Sequence, residues 1–143
     1  MKARRPKFAR IADETATSRG WELADASELT RRIEDLAEAH ARAARWNARH
    51  LTPEERAAEA GFGFRITNRC GHVLLVGVHR LGWVLLRLEP RPMRIVRGSG
   101  EAGGPVAFML PEWTEFHRRE LVPAERARVL IEAWLETGEV PLE

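Results

Sequence analysis

Phe62-Gly63-Phe64-Arg65-Ile66-Thr67, then Asn68-Arg69-Cys70-Gly71, then His72-Val73-Leu74-Leu75-Val76-Gly77-Val78-His79 is the stretch that decides the fold. In its first part Phe62, Phe64 and Ile66 alternate with Gly63, Arg65 and Thr67, the period of two that marks a strand with one buried face. Asn68 to Gly71 predicts a hairpin turn, with Gly71 supplying a positive φ that side-chain-bearing residues resist. The third part is apolar on both faces, so a central strand is expected there.

Working outward, Arg80-Leu81-Gly82 turns the chain into a third strand, Trp83 to Leu88, and Met93 to Val96 predicts a fourth. Val106 to Leu110 reads as another strand, stopped by Pro111. Upstream, Asp25 or Ser27 caps a helix, and Asp25-x-x-Glu28 has the form of a capping box. Leu29, Ile33, Leu36 and His40 then recur on one face to about Asn47. Thr52-Pro53-Glu54-Glu55 signals a second, short helix, interrupted by Gly61 and Gly63. Downstream, Pro123 opens a helix with the apolar stripe Ala127, Leu130, Ile131, Trp134 and Leu135, stopped by Gly138 and Pro141. The fold class expected is α+β: an antiparallel meander of four to five strands, with N-terminal and C-terminal helices packed on one face in two layers.

The length of 143 residues matches one domain, expected over 21–143, behind a flexible basic segment at 1–20. No apolar run approaches the roughly 18 residues that span a bilayer, so no membrane contact is expected. The basic start is not followed by the apolar stretch of a signal peptide. The lone Cys70 forms no internal disulfide, which favours a cytoplasmic address. Lys2, Arg4, Arg5, Lys7 and Arg10 concentrate five positive charges in the first ten residues, so the overall +2 leaves −3 for residues 11–143. The basic pI of 9.3 therefore reports a tail. The acidic remainder argues against a nucleic-acid-binding domain, which carries a positive footprint.

Catalytic and metal-binding patterns are weak. Cys70 and His72 lie close, but in a predicted turn and with no orienting Asn or Asp placed by the sequence. His72 and His79 are an odd number of residues apart on one strand, which sends them to opposite faces. His40 and His50 are ten residues apart, with the second beyond the expected helix, and His117 stands alone. Gly98, Gly100, Gly103 and Gly104 lack the lysine and following helix of a phosphate loop. Pairs such as Glu112 and Glu115 are common in so charged a chain. No catalytic residue, metal or cofactor is expected.

The tryptophans are more informative. Trp134 falls in the core stripe of its helix, and Trp46 lies outside the register of the first. Trp83 shares a strand face with Leu85 and Arg87, the face expected to point away from the helices. Trp113 stands among acids in Pro111-Glu112-Trp113-Thr114-Glu115-Phe116, as an interface anchor or a rim-of-core residue.

Phe108 to Phe116, Leu121-Val122-Pro123, and the helix end Ala133-Trp134-Leu135-Glu136-Thr137-Gly138-Glu139-Val140-Pro141 resemble the Imm1 family of bacterial immunity proteins. A looser upstream match, through the capped helix and Leu74-Leu75-Val76-Gly77-Val78, extends the resemblance over residues 21–141. The resemblance implies a small intracellular inhibitor, encoded beside a toxin delivered between competing bacteria, that neutralises the toxin domain by binding it. It also implies that the toxin is often a nucleic-acid deaminase, whose basic active-site rim suits an acidic and aromatic plug. The expected contacts are Trp113, Glu112, Glu115 and Trp83, with Arg87 as a polar contact. The acids Glu132, Glu136, Glu139 and Glu143 fit the same idea. The expected state is a monomer, or a 1:1 heterodimer with the toxin, without direct nucleic-acid contact. The alternative is a nucleic-acid-binding regulator using the basic tail and Arg31, Arg32, Arg42, Arg45 and Arg49 of the first helix.

Overall fold

The computed structural model describes residues 8–13, 20–48, 61–87, 94–95, 103–110 and 113–137, with the backbone alone for 13, 41, 43–48, 94, 95, 109, 113 and 137. In chain order the elements are β1 (Ala9–Asp13), β2 (Gly20–Leu23), α1 (Ala26–Ala48), β3 (Phe62–Asn68), β4 (Val73–His79), β5 (Gly82–Arg87), β6 (Arg94–Ile95), β7 (Pro105–Met109), β8 (Trp113–His117) and α2 (Ala124–Thr137). Six strands form one sheet in the order β2-β1-β3-β4-β5-β6, and β7 and β8 form a separate hairpin. All named strand pairs are antiparallel. The α+β class is as the sequence predicts.

The β3–β5 meander follows the predicted register. Phe64 pairs with Val76 and Val76 with Leu85, which stacks the inward side chains of three strands. The turn between β3 and β4 is held by Asn68, whose buried side-chain oxygen accepts from the Cys70 and His72 amides at 3.0 Å. Gly71 adopts φ 83° there, in the region that a Cβ disfavours.

On one face of the sheet lie both helices. Leu29, Ile33 and Leu36 of α1 and Ala127, Ile131, Trp134 and Leu135 of α2 are buried against Ile11, Phe64, Ile66, Leu74, Val76, Trp83 and Leu85. Both predicted helix stripes therefore face the core. His40 continues the α1 stripe by stacking on Phe62, centroids 4.3 Å apart.

Three features depart from the sequence reading. The first helix is preceded by the β1–β2 hairpin, so it is not N-terminal in the order of elements. Ala9–Asp13, read as part of a flexible lead-in, is instead an internal strand between β2 and β3, with Ile11 fully buried. Its short Ala-Arg-Ile-Ala-Asp run is too small to show a period; pairing on both sides creates the strand. The second departure is β8, whose alternation of Thr114 and Phe116 with Glu115 and His117 is masked by charge. The third is the layering. The β7–β8 hairpin does not extend the meander but covers the other face of the sheet, making three layers instead of two. The predicted helix near Thr52, the residues 88, 93 and 96 at the ends of predicted strands, and the stop at Gly138 and Pro141 fall outside the described residues.

The hairpin seats through one ring. Phe108 is fully buried and meets the edges of His79 and Phe116, each with centroids 5.7 Å away. Its floor is glycine. A Cβ built on Gly77 lies 2.8 Å from Phe108 Cδ2, and one on Gly61 lies 2.9 Å from the same atom. Gly61 also donates its amide to the Ala107 carbonyl at 2.8 Å, which fastens the hairpin beside β3. Leu75, Val84, Leu86, Val106 and Leu121 close this second core. It explains why β4 is apolar on both faces whereas β3 exposes Arg65.

After the hairpin, a single 3-10 turn (Arg118–Glu120) carries the chain round the edge of the sheet. Leu121 packs in the hairpin core and the next residue, Val122, in the helix core. Two backbone hydrogen bonds of 2.7 and 2.8 Å between Val122 and Trp83 pin this crossing to β5. α2 therefore starts over Trp83.

Gly77→Ala should destabilise the fold by about 1–3 kcal/mol through overpacking, and Phe108→Ala by about 3–5 kcal/mol through the cavity it leaves. Because the two act on the same space, denaturant unfolding of the double variant should show less than the sum of the two losses; strict additivity would contradict the seating described. At α1, the Glu28 amide and Ser27 hydroxyl donate to Asp25, holding its carboxyl below the ordinary value. That contribution is present above the unfolded-state value and disappears as pH falls through the lower folded-state value. Asp25→Asn should flatten that acid limb of the Tm-versus-pH curve, and an unchanged limb would argue against the cap.

Candidate functional site

Of the five residues expected to form one contact surface, the structure describes the side chains of Trp83, Arg87 and Glu115, and it sets Glu115 on a different strand pair from the other two. Trp83 is 4% exposed and lies in the helix core, on the face opposite to the one expected. Alternation correctly groups it with Leu85, but cannot say which face the helices cover. The Arg128 guanidinium of α2 lies over its ring, 5.7 Å from the centroid. Arg87 ends the same strand, half-buried, with its Nε enclosed and lacking a hydrogen-bond partner. Glu115 sits across the sheet, exposed on β8, where it pairs with Ala107. Trp113 pairs through its backbone with Met109, its side chain being outside the described residues, as is Glu112. Trp46 lies on α1 with only its backbone described.

Of the groups considered for chemistry, Cys70 and His72 share the β3–β4 turn, and His79 and His117 lie at other turns. Cys70 is exposed at the β3–β4 turn, with its amide given to Asn68. His79 accepts the Leu81 amide on Nδ1 at 3.1 Å and packs on Phe108. His117 caps the 3-10 turn, with Nδ1 accepting from Arg119 while its own amide donates to Glu120. Both rings thus serve turns. Among the described residues no three of His, Cys, Asp and Glu gather as a metal cage.

Among the described arginines of α1, two of three are engaged within the chain. Arg42 is paired with Glu38 at 2.6 Å. Arg32 lies over the Trp21 ring, 4.5 Å from its centroid, and Arg31 is exposed. Arg45 has only its backbone described, and Arg49 falls outside.

What the fold does offer is solvent-facing protein surface on two sides. The outer side of the hairpin carries Pro105, Glu115 and His117. The outer side of α2 carries Glu125, Arg126, Arg128, Val129, Glu132 and Glu136, with Val129 64% exposed. A shallow groove floored by Leu29, Ile33 and Ile131 and rimmed by Thr30, Arg128 and Glu132 runs between α1 and α2. Val129 is out of register with the core stripe of α2, and its signal in the sequence is an apolar residue directly opposite that stripe.

Among the described residues no helix is long and apolar enough to cross a membrane. Trp83→Ala should lower stability by about 3–5 kcal/mol, measured by thermal or denaturant unfolding. A variant that keeps full stability would contradict the burial of Trp83.

The family model for the immunity protein Imm1 matches residues 18–143. Comparison with curated proteins and with solved structures returns no match.

Proposed function

The chain belongs to the Imm1 family of immunity proteins, and from that premise we propose that it neutralises a cognate bacterial toxin that acts on nucleic acid, by covering the toxin's substrate site. The family match over residues 18–143 carries the first half of this reading. Charge supports the second. A domain that handles nucleic acid must offer positive groups to the phosphates, and a deaminase must hold an extruded base inside such a rim. Residues 11–143 carry a net −3, so the body of the inhibitor is attracted to that rim. Electrostatic attraction of this kind speeds encounter and makes it sensitive to salt.

Action by binding requires no reacting group on the inhibitor. It requires a rigid body, which the two cores on either side of the sheet supply. The site of action is the cytoplasm of the producing cell, where the toxin would otherwise reach its substrate.

Titrating the toxin domain encoded beside this chain with purified inhibitor should abolish toxin activity at about one equivalent, with the toxin chemically intact. Inhibition completed far below one equivalent would mean turnover and would refute the binding mechanism. The basic tail is tested separately by replacing Lys2, Arg4, Arg5 and Lys7 with glutamine. Truncation through Arg10 would remove part of β1, so charge replacement is the cleaner experiment. Protection of cells should be unchanged; loss of protection together with loss of salt-sensitive DNA or RNA binding would favour a nucleic-acid regulator.

A further inference from the structure

We infer that the outer ridge of α2, Glu125-Val129-Glu132-Glu136, is a docking surface for a basic protein surface; resting on the reading above, that surface is the rim of the toxin's nucleic-acid cleft. The spacing of four, three and four residues sets these side chains along one line of the helix. Ala127, Ile131 and Trp134 occupy the opposite line and are buried. All four ridge residues are exposed, Val129 by 64%.

Glu125 suits the first turn of the helix, but the C-terminal half of the line is arranged against the stability of the helix. Glu132 and Glu136 are like charges one turn apart, which repel. Glu136 lies in the last turn, where the helix dipole favours bases, and that turn contains none. Arg69 reaches the Glu136 backbone carbonyl at 3.5 Å, from outside the helix. Val129 is β-branched and, being 64% exposed, adds little buried area in return. Arg128, four residues before Glu132, is the natural ion-pair partner, yet its guanidinium lies over Trp83. Ion pairs form elsewhere, as between Arg10 and Glu22 and between Arg42 and Glu38. Arg126 and Arg128 stand on the flanks of the ridge and not on its crest.

An apolar knob edged by acids that form no ion pair among the described residues has an obvious complement: a protein surface with a small apolar hollow surrounded by lysine and arginine. The rim of a polyanion-binding cleft has that character. The helix-to-helix groove beside the ridge shares Glu132 and adds relief for a partner to grip. The rival surface, the outer side of the hairpin, is less suited. Its exposed acid Glu115 already interacts within the chain, and His117 is committed to the 3-10 turn.

The test measures binding to a catalytically inactive form of the adjacent toxin domain by calorimetry. E132Q/E136Q and Val129→Ser are compared with wild type and with Glu115→Arg. The double glutamine variant should keep or raise Tm, because it removes repulsion, while weakening toxin binding at least tenfold and flattening its salt dependence. Val129→Ser should weaken binding without unfolding the chain. Unchanged affinity in both ridge variants while wild type binds overturns the docking surface and leaves the proposed function standing. Loss of binding confined to Glu115→Arg does the same and assigns the hairpin face. A wild-type chain that does not bind the toxin at all removes the proposed function and this inference with it.

Discussion

Phe108 resting on glycine is the contact that organises the rest of this molecule. The ring reaches the sheet because Gly77 and Gly61 present bare backbone where any other residue would place a Cβ within 2.9 Å of it. Seating the ring draws the hairpin onto β4 and β5, and this is what permits β4 to be apolar on both sides. It also fixes where the chain must leave the hairpin. From there the 3-10 turn, Leu121 and Val122 pass round the β5 edge and deliver α2 to the helix face. The two cores are thus built in series by one short connection, and a change at the glycine floor is felt on both.

The consequence for function is rigidity of the outer surfaces. Trp83 lies at the junction, bonded through its backbone to Val122 and covered by Arg128. That cover has a second effect, since an arginine drawn down onto a tryptophan is withheld from the acid four residues further on. The packing of the interior thereby sets the charge left on the exterior of α2. An inhibitor that acts by filling a partner's cleft benefits from such coupling, because a surface held in place before encounter loses little freedom on binding.

Legibility of this fold in its sequence followed the range of the interactions. The β3–β5 meander, the Asn68–Gly71 turn, the α1 cap and the α2 stripe are written in neighbouring residues, and each is where the pattern placed it. β1 is defined by pairing with strands far along the chain, and nothing in Ala9–Asp13 announces it. The third layer was hidden for a related reason: period two separates the faces of a strand without saying what lies against each. Trp83 and Leu85 were grouped correctly and then assigned to the wrong side. A signal did exist in Gly77, since glycine in the middle of a buried strand marks a close approach by something bulky. The candidate contacts were less legible still. Acids beside a tryptophan at 112–115 look like an interface in sequence, and Glu115, the one of these acids that the structure describes, is exposed. The α2 ridge emerges only once the helix has been oriented and its charges matched against their neighbours.

Under the proposed function, this protein and nucleic acid compete for one surface of the toxin. The most direct measurement is displacement: a fluorescent single-stranded oligonucleotide bound to the inactive toxin domain, titrated with the intact chain. Release of the oligonucleotide as the protein complex forms, with no species containing all three, is the predicted result. A stable ternary complex would contradict it.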